Sequence, residues 1–224
     1  QVLLKAREVA QASQRAFDVT VVPLIQLWKT AEREGREPSE AERAAACSRV
    51  DSVRLELDPQ AVTARLPEGM AVDLGGIGQG LFADEGVRIL RDHGIRRGLV
   101  NASGEVAVYD DRPAPQPFQI GILDPRRDAP GSTLTLHRGA VATSGNYRRG
   151  VDVAGRHRSH ILDPVSGRPV DAVRSITVEA PTALEADAWS TACAVLVGRG
   201  QDPKAFLPSG FRIHALLLEP SSQP

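Results

Sequence analysis

The chain has 224 residues, enough for one large domain with its own core or for two small ones. Its 27 basic and 28 acidic residues leave a net charge of −1, and aromatics make up only 4%, so neither nucleic acid nor a membrane surface is indicated as a partner. Cys47 and Cys193 have no CxxC spacing and no neighbouring histidine, which excludes a zinc site or a disulfide framework and leaves small core residues.

From Gln1 the pattern is already helical, with Val2, Leu3, Ala6, Val9 and Ala10 on one face of a helix expected to run to about Phe17. There is no initiating methionine and no signal peptide, so the chain reads as a fragment or processed product, from which any targeting segment would be missing; no apolar run reaches the length of a membrane span. A short apolar stretch leads to Trp28, and the charged residues 29–38 are expected to form an exposed turn. Ser39 and Glu42 have the spacing of a capping box, which predicts a helix through Cys47. Val53, Leu55 and Leu57 alternate as in a half-buried strand, and the apolar residues 70–74 suggest another.

Leu81, Phe82, Val87, Ile89 and Leu90 set a helix over 79–93 that Gly94 ends. Strands are expected at 99–100, 106–108, 118–123, 134–136 and 175–178, then a helix over 182–197 and a last strand at 213–218. Helices and strands mixed without regular alternation predict an α+β fold in a single domain.

The run Val72-Asp-Leu-Gly-Gly-Ile-Gly-Gln-Gly80 is the most informative stretch. Its glycines allow close approach of backbone to a ligand, and the helix start behind them offers N–H groups to an anion. It matches neither the phosphate-loop lysine motif nor a dinucleotide fingerprint, and a plain tight turn is an equal reading. Asp187 and Thr191 lie i, i+4 on the last helix, nearly opposite Trp189, Cys193 and Leu196. That face is either a solvated surface or an oxygen pair suited to magnesium. Thr143, Ser144 and Gly145 make an ordinary turn or a ligand loop. His160, read on an apolar strand leading into Asp163 and Pro164, is either structural or a general acid or base. Asp73, Asp84 and Glu105 form no acid–base pair by spacing, and no GxSxG elbow or HExxH motif is present.

The order of these pieces says more than any one of them. Ala16-Phe17-Asp18 with Thr20 and Trp28, the 73–80 run with Asp84, Val100-Asn-Ala-Ser-Gly104, Ala142-Thr-Ser-Gly145 with Tyr147, Ser159-His-Ile-Leu-Asp-Pro164 with Gly167, and Ala186-Asp-Ala-Trp-Ser-Thr191 together resemble the ApbE family of FAD:protein FMN transferases. The resemblance implies a T-fold-like α+β domain over residues 1–224 that lacks its amino-terminal part. It also implies FAD as substrate, Mg2+, transfer of FMN to a threonine or serine hydroxyl of an acceptor flavoprotein of the redox-complex subunit class, and release of AMP. By the same resemblance Ala16, Phe17, Asp18, Gly75, Leu81, His160 and Ile161 would meet the flavin nucleotide. Gly78 through its carbonyl, Asp187 and Thr191 would hold the metal, and His160 would move a proton. The bacterial cell envelope, on its periplasmic side with a lipid anchor, is the expected location. Departures are Gln79 where a lysine is common, Ser103-Gly104-Glu105 for Gly-Gly-Asp, and Asn146 for aspartate. Hydrolysis of FAD to FMN and AMP, or FAD binding without catalysis, are the alternatives they open.

Overall fold

The computed structural model describes residues 1–146 and 149–219, and its elements follow from short stretches of pattern closed by identifiable stops. Helix α1 (Val2–Ala12) buries Ala6, Val9 and Ala10, the expected face, but ends before Phe17. Gln14 and Arg15 then turn the chain with φ of 51° and 58°. Helix α2 (Val22–Glu34) corrects the expected turn over 29–38. Leu24, Trp28 and Ala31 recur on one buried stripe while the charged residues face outward, so the helix continues until Gly35 stops it in the left-handed conformation at φ 65°. Helix α3 (Glu40–Cys47) has the capping box read from Ser39 and Glu42.

Residues 52–57 are not the single strand expected from alternation. Ser52–Arg54 is a 3₁₀ turn, and β1 (Glu56–Asp58) pairs with β2 (Thr63–Arg65). Residues 70–74 form no strand either; one main-chain bond, from Asp73 N–H to the Val19 carbonyl at 2.8 Å, ties this segment to the 16–20 loop. Helix α4 (Gly78–Asp92) follows, with Gly94 just beyond it at φ 75° as expected.

The main sheet comprises β3 (Arg97–Ala102), β4 (Glu105–Asp110), β7 (Gly139–Ser144), β10 (Val173–Ala180) and β11 (Arg212–Leu218), antiparallel in the order β11-β10-β7-β4-β3. Between β4 and β7 the chain makes the hairpin of β5 (Phe118–Asp124) and β6 (Ala129–Leu136). Strand β4 shows the two-residue period of a sheet covered on both faces. Ala107 and Tyr109 pack toward the helices, whereas Val106 and Val108 pack with Ile120 and Leu136 of the hairpin. A second hairpin, β8 (Gly150–Val153) with β9 (Arg156–Ser159), packs on α2 through Val153.

Helix α5 (Ala183–Gly198) is the centre of the molecule. It is buried on all sides between β7, β10, α1 and α4, which its alanines at 183, 186, 188, 192 and 194 permit. The expected division of this helix into a packed face and a wet face therefore fails: Asp187 is only 4% exposed. Helices α4 and α5 cap one another. The Asp84 carboxylate on α4 accepts the Ala183 and Leu184 N–H groups at 2.8 and 2.9 Å, and Asp187 on α5 accepts the Gly80 N–H at 3.0 Å. They meet so closely that a Cβ on Gly80 would lie 2.2 Å from the Ala183 carbonyl oxygen.

This crossing sets a ranked expectation for stability. Asp84→Ala should cost about 1–2 kcal/mol, as loss of a helix cap does. Gly80→Ala should cost more, about 3 kcal/mol, because rigid backbone on α5 must move. Urea denaturation of both variants checks the order, and a Gly80→Ala protein as stable as wild type would disprove the close approach.

Candidate functional site

A cavity of about 600 Å³ opens where the loop after α1, the start of α4, the β3–β4 turn, the end of β7, the β9 exit and one face of α5 converge. Of the residues expected at a site, Ala16, Phe17, Asp18, Gly75, His160, Ile161, Asp187 and Thr191 line it. Gly78 and Leu81 do not: Gly78 is buried with Leu74 as its nearest neighbour, and Leu81 is half-buried on α4. Tyr147, part of the resemblance, lies outside the described residues.

Asp187 and Thr191 of the expected oxygen cluster meet at the cavity floor. Gly76 packs against Thr191; a Cβ on it would sit 3.2 Å from both the Thr191 hydroxyl and the Phe17 ring. Thr191 is held by Ser144 at 3.1 Å, and Ser144 bonds Ser190 at 2.7 Å, so hydroxyls stitch β7 to α5. The hydroxyl turn at 143–145 is thus part of the wall. One Asp187 oxygen takes the Gly80 N–H, and no donor among the described residues meets the other. Burial pushes the Asp187 carboxyl up to about 7, against the Gly80 N–H and with the charge of Glu105 adding to it. Glu105 also lines the cavity, with one buried carboxylate oxygen unpartnered and its own pKa raised by burial. A buried carboxylate short of donors beside neutral hydroxyl oxygens is a donor set that fits a small hard cation.

Asp18 is committed elsewhere. Its carboxylate accepts the Thr20 N–H at 2.9 Å, the Thr20 hydroxyl at 2.6 Å and the Ser52 N–H at 2.9 Å, so it shapes the loop rather than projecting charge at a ligand. The same loop is fixed from the far side by Arg199, whose guanidinium donates to the Gln14 and Arg15 carbonyls at 3.0 Å and pairs with Asp163 at 2.6 Å. Trp28 closes this wall through a 2.8 Å bond from its indole N–H to the Gly167 carbonyl. Nothing in the sequence signals Arg199, because the carbonyls it holds are over 180 residues away.

His160 does not lie on an apolar strand. It occupies a bend after β9, and Asp163 is engaged with Arg199 and Ser166. The residue that orients it is Arg149: at 3.2 Å a main-chain carbonyl accepts only, so His160 Nδ1 carries the proton and Nε2 keeps a free lone pair. The imidazole is accessible from the cavity, yet the surrounding walls strip enough water to lower its pKa, and the nearby Arg149 charge lowers it further. Ser103, which departs from the expected glycine, lines the cavity at φ 63°, a position where glycine is free of strain.

With this geometry in view, the chain can be set against known proteins. Residues 1–203 match the model of the ApbE family, and the chain belongs to that family. It is 32% identical over 204 residues to the FAD:protein FMN transferase of Salmonella typhimurium, covering 87% of this chain and 58% of that protein. Its identity to the FAD:protein FMN transferase of Escherichia coli K12 is 33% over 190 residues, covering 81% and 54%. Among solved structures, the ApbE protein of Thermotoga maritima superposes with a TM-score of 0.77 at 34% identity, covering 88% of this chain and 65% of that one. The apo flavinyl transferase ApbE of Pseudomonas stutzeri gives 0.69 at 29%, covering 87% and 61%. The chain spans little more than half the length of the two transferases.

The raised Asp187 pKa carries a stability signature. Below the unfolded value of 3.8 both states hold the group neutral and the fold keeps its full stability. As pH rises from there through about 7 the unfolded chain ionises more readily, so stability without metal falls, by a few kcal/mol in all. Asp187→Asn should flatten that fall between pH 4 and about 8 in chelator-treated protein. Melting curves that decline equally for both proteins would show that Asp187 ionisation is not the cause.

Proposed function

We propose that this chain is the catalytic portion of a magnesium-dependent flavin transferase, moving the FMN half of FAD to a threonine or serine hydroxyl of an acceptor flavoprotein and releasing AMP. The observation that carries the reading is that one cavity joins the donor-poor Asp187 and Thr191 cluster to a histidine with a free Nε2. The names of the relatives support the same chemistry.

Asp187, Thr191 and the Gly78 carbonyl would hold the metal. When bound, magnesium neutralises charge on the pyrophosphate oxygens and on the departing phosphate. The residues of the chain do the rest. His160 Nε2 takes the proton of the acceptor hydroxyl; its oxygen bonds to the phosphorus bearing the flavin ribityl chain, and the bond from that phosphorus to the oxygen of AMP breaks. Residues 16–18, pinned by Arg199, Asp18 and Gly76, present Phe17 as an apolar wall for the ring system. We place the acceptor among subunits of redox complexes, and the protein on the periplasmic side of a bacterial envelope with a lipid anchor.

Incubation with FAD, magnesium and an acceptor domain, read by intact mass and nucleotide analysis, decides among outcomes. A flavinylated acceptor with AMP supports transfer, free FMN with AMP establishes hydrolysis, and unchanged FAD reduces the chain to a binding protein. Because burial lowers the His160 pKa, the base is neutral at pH 7 and the transfer rate should fall only below the ordinary histidine range. His160→Gln should slow transfer about 10²-fold and abolish that acidic limb. A full-rate variant with an unaltered pH profile would remove His160 from the chemistry.

A further inference from the structure

We propose that Arg149 supplies a side-chain positive charge that meets the pyrophosphate of FAD in this chain, in a cavity where Gln79, at the α4 start, offers only a neutral amide. The inference rests on the reading of FAD as substrate and names a phosphate subsite within it.

The charges of the cavity require such a group. Among the described residues its lining includes the acids Asp18, Asp73, Glu105 and Asp187 but only two permanent cations, Lys29 and Arg149. Asp18 and Asp73 are partly answered by N–H groups of Thr20, Ser52 and Gly75, whereas Glu105 and Asp187 each keep an oxygen without a donor. A pyrophosphate diester brings two more negative charges into that space. One divalent cation at Asp187 leaves an excess of negative charge that a side chain must offset.

Of the two cations, Lys29 stands at the outer lip, where the cavity continues into a shallow groove shared with Gln26 and Arg33. Arg149, also exposed, adjoins the histidine instead. Its carbonyl holds His160, and its charge is felt at both His160 and Glu105. No carboxylate among the described residues lies at ion-pair distance from its guanidinium, in contrast to Arg158 and Arg199, which are both paired. An uncommitted guanidinium beside the proton acceptor is suited to grip phosphate oxygens in a fork. Gln79 lines the same cavity half-buried, with no charge to give.

The test uses riboflavin, FMN and FAD with magnesium, measured by flavin fluorescence against wild type, Arg149→Gln and the double variant that adds Gln79→Lys. Arg149→Gln is expected to weaken FAD by about tenfold to a hundredfold and leave riboflavin unchanged. Adding Gln79→Lys should recover most of the loss, since it restores a charge to the same cavity. Equal FAD affinity for wild type and Arg149→Gln overturns the proposal, as does a loss that is the same for riboflavin and FAD. A double variant no better than Arg149→Gln also overturns it. Failure of the wild type to bind FAD at all would instead refute the substrate reading itself, so the two failures are told apart.

Discussion

The crossing of α4 and α5 is the constraint on which the rest of the molecule depends. Each helix begins with N–H groups that its own turns cannot satisfy, and each receives a carboxylate from the other: Asp84 for α5 and Asp187 for α4. The exchange works only because Gly80 lets backbone lie against the Ala183 carbonyl. Once the helices are locked this way, the start of α4 carries Gly76 to Thr191, and the helix that serves as the core also forms the cavity floor. Asp187 is thereby structural and functional at once. It ends one helix lattice and, through its free oxygen, leaves negative charge in a dry place.

That double duty explains what the sequence made legible and what it hid. Local devices were readable: the Ser39 and Glu42 box, the stop at Gly94 and the alternation along β4 all depend on neighbours a few residues apart. Charge misled at residues 29–34, where an outer helical face looked like a turn because Leu24, Trp28 and Ala31 were too sparse to dominate. It also hid β9, whose Arg156, His157 and Arg158 show no apolar period. On α5 the alanines made every face apolar enough to bury, so helical phase alone could not say that Asp187 points inward.

At the site, the legible residues were those in runs of distinctive composition, namely 16–18, 73–80, 159–161 and 187–191. The residues that orient them were not. Ser144 on β7 and the carbonyl of Arg149 act on Thr191 and His160 across 47 and 11 residues. The position of Gly76 against Thr191 is likewise a product of the helix crossing. Family resemblance could indicate which blocks belong together, but only packing decides which atom in each block faces the cavity.

Arg199 brings a different kind of consequence, one of timing. Its guanidinium joins the Gln14 and Arg15 carbonyls to the C-terminal end of α5, across 185 and 184 residues. The loop that holds Phe17 therefore reaches its final shape only once the end of α5 is in place. Until then the first helix and the 16–18 loop lack their anchor, and the apolar Phe17 stays without its wall partners. Contacts this distant are slow to close, so this wall of the ligand cavity forms later than the local helices around it.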